Sequence, residues 1–154
     1  MKIGIIFYSK TGNTRSVAEK LKQALSQAGN EVTLEELTTV GDPGAQPNKT
    51  ELSNVPGTAH YEAVIFAAPV WAFSLASVMK LYLRKVQTLK GQKVGVFVTQ
   101  SFKKPWLGGN NAIRYMKRAC AAKNGFVTKS GIINWTNIQR ETQIDTLVKE
   151  FSAL

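Results

Sequence analysis

The chain has 154 residues, 44% of them hydrophobic and 19% charged, a composition that excludes a largely disordered protein. Its single cysteine, Cys120, excludes an internal disulfide and a cysteine-based zinc cluster. We expect Cys120 to be a small buried side chain in a protein of the reducing cytoplasm. No run of about 18 apolar residues occurs, so we expect no membrane-spanning helix.

Charge is distributed unevenly along the chain, whose formal net charge is +10. Residues 1–77 carry a net charge of −1 and residues 78–154 a net charge of +11, with no acidic residue between Glu62 and Glu141. Such a basic half predicts an acidic protein partner or a phosphorylated substrate. Nucleic-acid binding is not predicted, because charge is its only support and no recognised motif accompanies it.

The chain alternates short apolar runs, typical of buried strands, with segments whose apolar residues recur at helical spacing. In chain order the predicted elements are strand 3–8, helix 17–28, strand 32–37, loop 39–60, strand 63–68 ended by Pro69, helix 75–86, strand 93–99, helix 110–123, strand 126–133 and helix 138–151.

This alternation predicts one domain, 1–154, of the α/β class, with a doubly wound sheet of five parallel strands between two helical layers. In such sheets a ligand binds beyond the carboxyl ends of the strands, at the point where the strand order reverses. The loops after the first, third and fourth strands are therefore the candidate site.

The loop after the first strand reads Ser9-Lys-Thr-Gly-Asn-Thr14. Gly12 allows a tight turn in which backbone N–H groups point inward, and Ser9, Thr11 and Thr14 supply hydroxyl donors. The following helix adds its free N–H groups and the positive end of its dipole. The loop therefore predicts a phosphate site. The alternative is an ordinary capped turn, since the same residue types favour turns.

This loop, placed after an N-terminal strand, resembles the FMN phosphate loop of the flavodoxins and flavodoxin-like proteins. The resemblance extends over all five strand–helix units and implies the strand order 2-1-3-4-5. It also implies non-covalent FMN, its phosphate wrapped by Ser9, Lys10, Thr11, Gly12, Asn13 and Thr14.

After the third strand, two large aromatic side chains follow Pro69, namely Trp71 and Phe73. They form either a flat wall for a planar ring or part of the core. By the resemblance, Trp71 flanks the flavin, with Pro69, Val70, Ala72 and Phe73 around its edge. Short-chain flavodoxins often have glycine where Ala72 stands, and a positive φ costs alanine about 1 kcal/mol. We therefore do not expect this chain to stabilise a flavin semiquinone as those carriers do.

The loop after the fourth strand contains Gly108-Gly109, which permits a close approach of the backbone to a ligand. By the resemblance this is the second flavin-contacting loop. Trp106 is alternatively a surface aromatic facing a partner or a second subunit. The contacts expected here come from Gln100, Ser101, Phe102, Trp106, Gly108 and Gly109.

The resemblance implies an FMN protein in electron transfer, and the basic half of the chain predicts that it docks an acidic redox partner. The alternative is an NAD(P)H-dependent FMN or quinone reductase, with Lys103 and Lys104 meeting the dinucleotide phosphates. No catalytic or metal-binding set is expected, since the only histidine, His60, lies in a loop. Lys10, Lys103 and Lys104 should stabilise the anionic reduced flavin and so raise its second-electron reduction potential relative to acidic flavodoxins. We expect a monomer or a homodimer.

Overall fold

The computed structural model describes residues 1–43, 49–101 and 105–154. Its helices and strands follow the predicted alternation. They are β1 Lys2–Phe7, α1 Asn13–Gln27, β2 Glu31–Glu36, β3 Ala63–Trp71, β4 Ser74–Leu75, α2 Ser77–Lys85, β5 Lys93–Gln100, a 3₁₀ turn Pro105–Leu107, α3 Gly109–Ala121, β6 Val127–Asn134 and α4 Arg140–Phe151.

Five strands form a parallel sheet in the order β2-β1-β3-β5-β6. This confirms the predicted order 2-1-3-4-5, because β4 only extends β3 and takes no place in the parallel series. The order reverses beside β1, so the carboxyl ends of β1, β3 and β5 lie next to one another at one edge of the sheet.

The prediction that the third strand ends at Pro69 was wrong. β3 continues to Trp71 and turns back into β4, with Val70 opposite Leu75 and Trp71 opposite Ser74. Pro69 has no N–H to donate, but its carbonyl accepts the N–H of Ala76 at 3.1 Å. The following helix therefore begins at Ser77, two residues later than predicted.

Each face of the sheet has its own apolar core, which explains why the central strands are apolar on both sides. α2 and α3 cover one face and α1 and α4 cover the other. Cys120 lies fully buried in the first core, as predicted, and burial raises the pKa of its thiol to about 12. None of the helices in the described ranges is long and apolar enough to cross a membrane.

Candidate functional site

The three loops predicted to form the site meet in one open cleft of about 450 Å³ at the carboxyl edge of the sheet. Nine of its ten lining residues were predicted from the sequence. The lining consists of Lys10, Thr11, Asn13, Thr14, Pro69, Val70, Trp71, Thr99, Gln100 and Ser101. Lys10 is the one charged side chain in this described lining, so the cleft favours an anionic ligand.

The loop after β1 is folded by the Ser9 hydroxyl, which accepts the backbone N–H of Gly12 at 3.1 Å and that of Arg15 at 3.2 Å. Gly12 has φ +94°, a left-handed conformation that disfavours other residues. A side chain there would have room, since an ideal Cβ lies 3.9 Å from its nearest neighbour, an Arg15 nitrogen. Backbone conformation, rather than space, therefore requires glycine.

At the start of α1, several backbone donors line the cleft. Among the described residues, none accepts the N–H of Thr11, Asn13 or Thr14. Four amides at a helix N-terminus have no acceptor within the helix, and the helix dipole adds positive potential. This end of the cleft is therefore suited to the oxygens of a phosphate group.

A buried hydroxyl pair joins the first loop to the strand beside it. Thr14 Oγ1 and Thr99 Oγ1 lie 2.8 Å apart, and both residues are buried. Thr99 was not among the predicted site residues. It could have been found from the sequence, because it is a polar residue that directly follows the apolar run of β5, at the edge of the sheet where the loops meet.

Trp71 forms the aromatic wall of the cleft. Its ring packs edge-on against Tyr8, with centroids 5.5 Å apart, and Lys10 Nζ lies 5.6 Å from the Trp71 centroid. Lys10 also pairs with Asp42 at 3.6 Å, an ion pair exposed to solvent. Burial, then the negative charges of Asp42 and Glu36, raise the pKa of Tyr8, so that residue is a neutral support for the indole.

The turn between β3 and β4 is strained. Its two central residues, Ala72 and Phe73, have φ +48° and +63°, the pattern of a hairpin turn that normally contains Asn-Gly. A left-handed conformation costs a residue with a side chain about 1–2 kcal/mol. Ala72 therefore already has the positive φ that is costly for alanine. Such strain is typical of functional loops.

Gly108 lies directly against this hairpin. It has φ +125°, and an ideal Cβ would lie 2.6 Å from Val70 Cγ1 and 2.8 Å from the Cα of Phe73. A Cβ on Gly109 would lie 2.9 Å from Gln100 Oε1. These glycines were predicted to bring backbone close to a ligand. In the structure both glycines also lie close to segments that form the cleft, namely the β3–β4 hairpin and Gln100.

Gln100 is held in the cleft wall by a buried polar network. Its Nε2 donates to Asn134 Oδ1, and its backbone oxygen accepts the N–H of Trp135 at 2.7 Å. The Asn134 N–H donates in turn to Gln143 Oε1 at 2.8 Å. Asn134 was not among the predicted site residues, although it too is a polar residue at the carboxyl end of a strand, directly after Ile132 and Ile133.

Among the described residues, the other predicted site residues lie outside the cleft lining. Ser9 and Gly12 shape the first loop, and Ala72 lines a neighbouring groove on the other side of Trp71. Phe73 and Trp106 are exposed, with 54% and 67% of their surface accessible. Phe102, Lys103 and Lys104 fall outside the described residues.

Several solved structures share this fold. The Trp repressor binding protein from Bacillus subtilis matches with a TM-score of 0.71 at 16% identity, over 97% of this chain and 98% of that one. Oxidised flavodoxin 1 from Bacillus cereus matches with a TM-score of 0.70 at 16% identity, over 99% of this chain and 95% of that one. Two-electron reduced flavodoxin from Megasphaera elsdenii matches with a TM-score of 0.70 at 19% identity, over 99% of both chains. No curated protein matches the sequence.

A family model described as a flavodoxin domain matches residues 4–123, a range that contains all three loops of the cleft. The solved structures agree with that match at the level of the fold. The chain therefore belongs to the flavodoxin domain family.

Proposed function

We propose that the cleft binds FMN and that the protein acts in electron transfer. The observation that carries this proposal is the convergence of three loops in one cleft, with helix N-terminal amides at one end and an indole wall at the other. The phosphate of FMN needs hydrogen-bond donors such as these amides, and its planar ring needs an apolar surface such as the indole. The match to the flavodoxin domain family supports the same cofactor.

The phosphate would be held by the first loop. The N–H groups of Thr11, Asn13 and Thr14 have no acceptor among the described residues, so they are available to phosphate oxygens. Lys10 supplies a positive charge. The Ser9 hydroxyl uses its oxygen to accept two N–H groups, which leaves its own hydrogen for another acceptor. This set suits a dianionic phosphate monoester.

The ring would lie against Trp71, with Val70 and Pro69 beside it and Gln100 at the opposite wall. Trp71 is partly buried and fixed by Tyr8, so its face is a rigid apolar surface for a planar group. Flavin bound here supplies one-electron and two-electron chemistry of its own, and the protein supplies position and electrostatics.

The described lining of the cleft is poor in groups that commonly act as general acids or bases. No His, Cys, Asp or Glu is present in the described lining of the cleft. The polar groups of the lining are hydroxyls, amides and one lysine, which are suited to binding and orienting a ligand. This favours a carrier of electrons over an enzyme that carries out acid–base chemistry on a substrate.

The proposal is tested on purified protein. We expect a yellow protein, or an apoprotein that takes up FMN, whose bound flavin is reduced by dithionite and reoxidised by an acidic electron-transfer protein. A carrier should show little steady-state consumption of NADH or NADPH with a quinone acceptor. Rapid turnover with either nucleotide would instead support the reductase alternative, and failure to bind FMN would contradict both.

A further inference from the structure

A groove in two adjoining parts runs along α2, beginning at the hairpin that carries Trp71. Its first part, of about 1120 Å³, is lined by Trp71, Ala72, Ser74, Ser77, Lys80 and Arg84. Its second part, of about 960 Å³, lies between α2 and α3 and is lined by Leu83, Arg84, Tyr115, Arg118, Ala122 and Lys123. The two parts share Arg84, and Lys80 Nζ of the first lies 4.9 Å from the Tyr115 centroid of the second. We call this the basic groove.

The positive charge of the basic groove is not neutralised from within the described protein. None of the four ion pairs among the described residues involves Lys80, Arg84, Arg118 or Lys123. The sequence has no acidic residue from 63 to 140, a range that includes both helices. A groove with unopposed cations attracts an anionic partner and accelerates its association.

The floor of the groove is apolar, and this narrows the class of partner. In its second part, Leu83 is buried and Tyr115 and Ala119 are partly buried, whereas Arg84 and Arg118 are exposed and form the rim. The phosphates of a nucleic acid would pair with the cations of the rim but would make no favourable contact with the apolar floor. An amphipathic protein segment with acidic flanks uses both, as in the binding of a helix in a groove.

The position of the groove connects it to the cleft. Trp71 lines both, so it separates the proposed FMN site from the beginning of the groove. The nine residues of α2 extend about 13 Å, enough to contact two to three turns of a bound helix. A partner seated there would have its nearest surface beside the proposed flavin.

We propose that the basic groove docks an acidic amphipathic segment, most simply a helix, of the protein with which this flavoprotein exchanges electrons. The proposal rests on the electron-transfer function argued above. It adds to that function the docking surface and the chemistry of the partner: carboxylates against the cationic rim and apolar side chains against the floor.

The experiment compares two charge-reversed proteins with the same change in net charge. Arg84→Glu/Arg118→Glu alters the rim of the groove, where both arginines are exposed. Lys22→Glu/Lys149→Glu is the matched control, because these exposed lysines lie on α1 and α4 across the sheet. The probe is a labelled peptide of about 16 residues with leucines on one helical face and glutamates on the other. A scrambled peptide of equal composition controls for charge alone.

We expect the groove variant to bind the amphipathic peptide at least tenfold more weakly than the unaltered protein, and the control variant to change by less than about threefold. The scrambled peptide should bind unaltered protein more weakly than the ordered one. Equal weakening in both variants, or equal binding of both peptides, would overturn the proposal. Tighter binding of a single-stranded oligonucleotide through the same arginines would replace it with a nucleic-acid site.

The FMN content of each preparation, read from its absorbance spectrum, separates the two proposals. Protein that contains FMN but binds the peptide no better than its scrambled form refutes the docking proposal alone. Protein that binds the ordered peptide through Arg84 and Arg118 but takes up no FMN refutes the electron-transfer function, and with it the electron-exchange role of the docked partner.

Discussion

Gly108 offers a sharp test of how the cleft is built, because its contact with the β3–β4 hairpin leaves no room for a side chain. In Gly108→Ala the new Cβ would lie 2.6 Å from Val70 Cγ1, 2.8 Å from the Cα of Phe73 and 3.0 Å from its carbonyl carbon. Two of these atoms are backbone atoms, which move only if the hairpin moves. The substitution should therefore displace the segment that carries Trp71.

Two costs add in this variant. The left-handed φ of +125° costs alanine about 1–2 kcal/mol, and the overlap adds about 1–3 kcal/mol of overpacking. Gly91→Ala is the matched control, since Gly91 has φ +80° but an ideal Cβ there meets nothing within 4 Å. The control should lose only the conformational part of the free energy of unfolding, about 1–2 kcal/mol.

Urea unfolding of both variants measures these free energies, and FMN titration measures the effect on the cleft. We expect Gly108→Ala to be less stable than Gly91→Ala by about 1–3 kcal/mol and to bind FMN about tenfold or more weakly than the unaltered protein. Gly91→Ala should retain the original FMN affinity. Equal stability of the two variants, with FMN binding intact in both, would refute the packing argument.

Four further predictions concern single side chains. Thr99→Val removes the bond to Thr14 and should cost about 1–3 kcal/mol of unfolding free energy, and in a double-mutant cycle Thr14→Val should then cost less than it does alone; additive costs would contradict this. Ala72→Gly should raise the unfolding free energy by about 0.5–1 kcal/mol, because relief of the strain outweighs the entropy of the unfolded glycine; a loss of stability would argue against strain. The Cys120 thiol, with its pKa raised to about 12, should react with a thiol reagent at about pH 8 only after unfolding, so rapid labelling of folded protein would count against its burial. Lys10→Gln should lower the midpoint potential of bound flavin by about 10–40 mV, and an unchanged or higher potential would dismiss the electrostatic role of Lys10.

The α/β class and the position of the cleft could be predicted because they depend on patterns that are local in the sequence, whereas the strand order was implied by the resemblance to the flavodoxins. Apolar runs such as that of β3 alternate with helical periodicity, and right-handed crossovers leave few ways to connect them. Once the strands are placed, their carboxyl ends define where the loops meet. The segment Ser9–Thr14 then supplies the hydroxyls and amides from which a phosphate site was predicted.

The structural features that could not be predicted from the sequence depend on contacts between segments that are distant along the chain. Pro69 signals the end of a strand, but pairing with β4 carries the chain two residues further. Gly108 is explained only by its contact with Val70 and Phe73, more than 30 positions away in the sequence. Asn134 becomes part of the site only through its bond to Gln100. No local pattern contains these pairings.

The most direct test of the proposed cleft is a comparison of FMN with riboflavin, which has the same ring but no phosphate. Titration of the apoprotein, followed by flavin fluorescence, gives both dissociation constants. We predict that FMN binds at least about 100-fold more tightly, since the amides of the Ser9–Thr14 loop and Lys10 act only on the phosphate. Equal affinity for the two flavins, or no binding of either, would contradict the account.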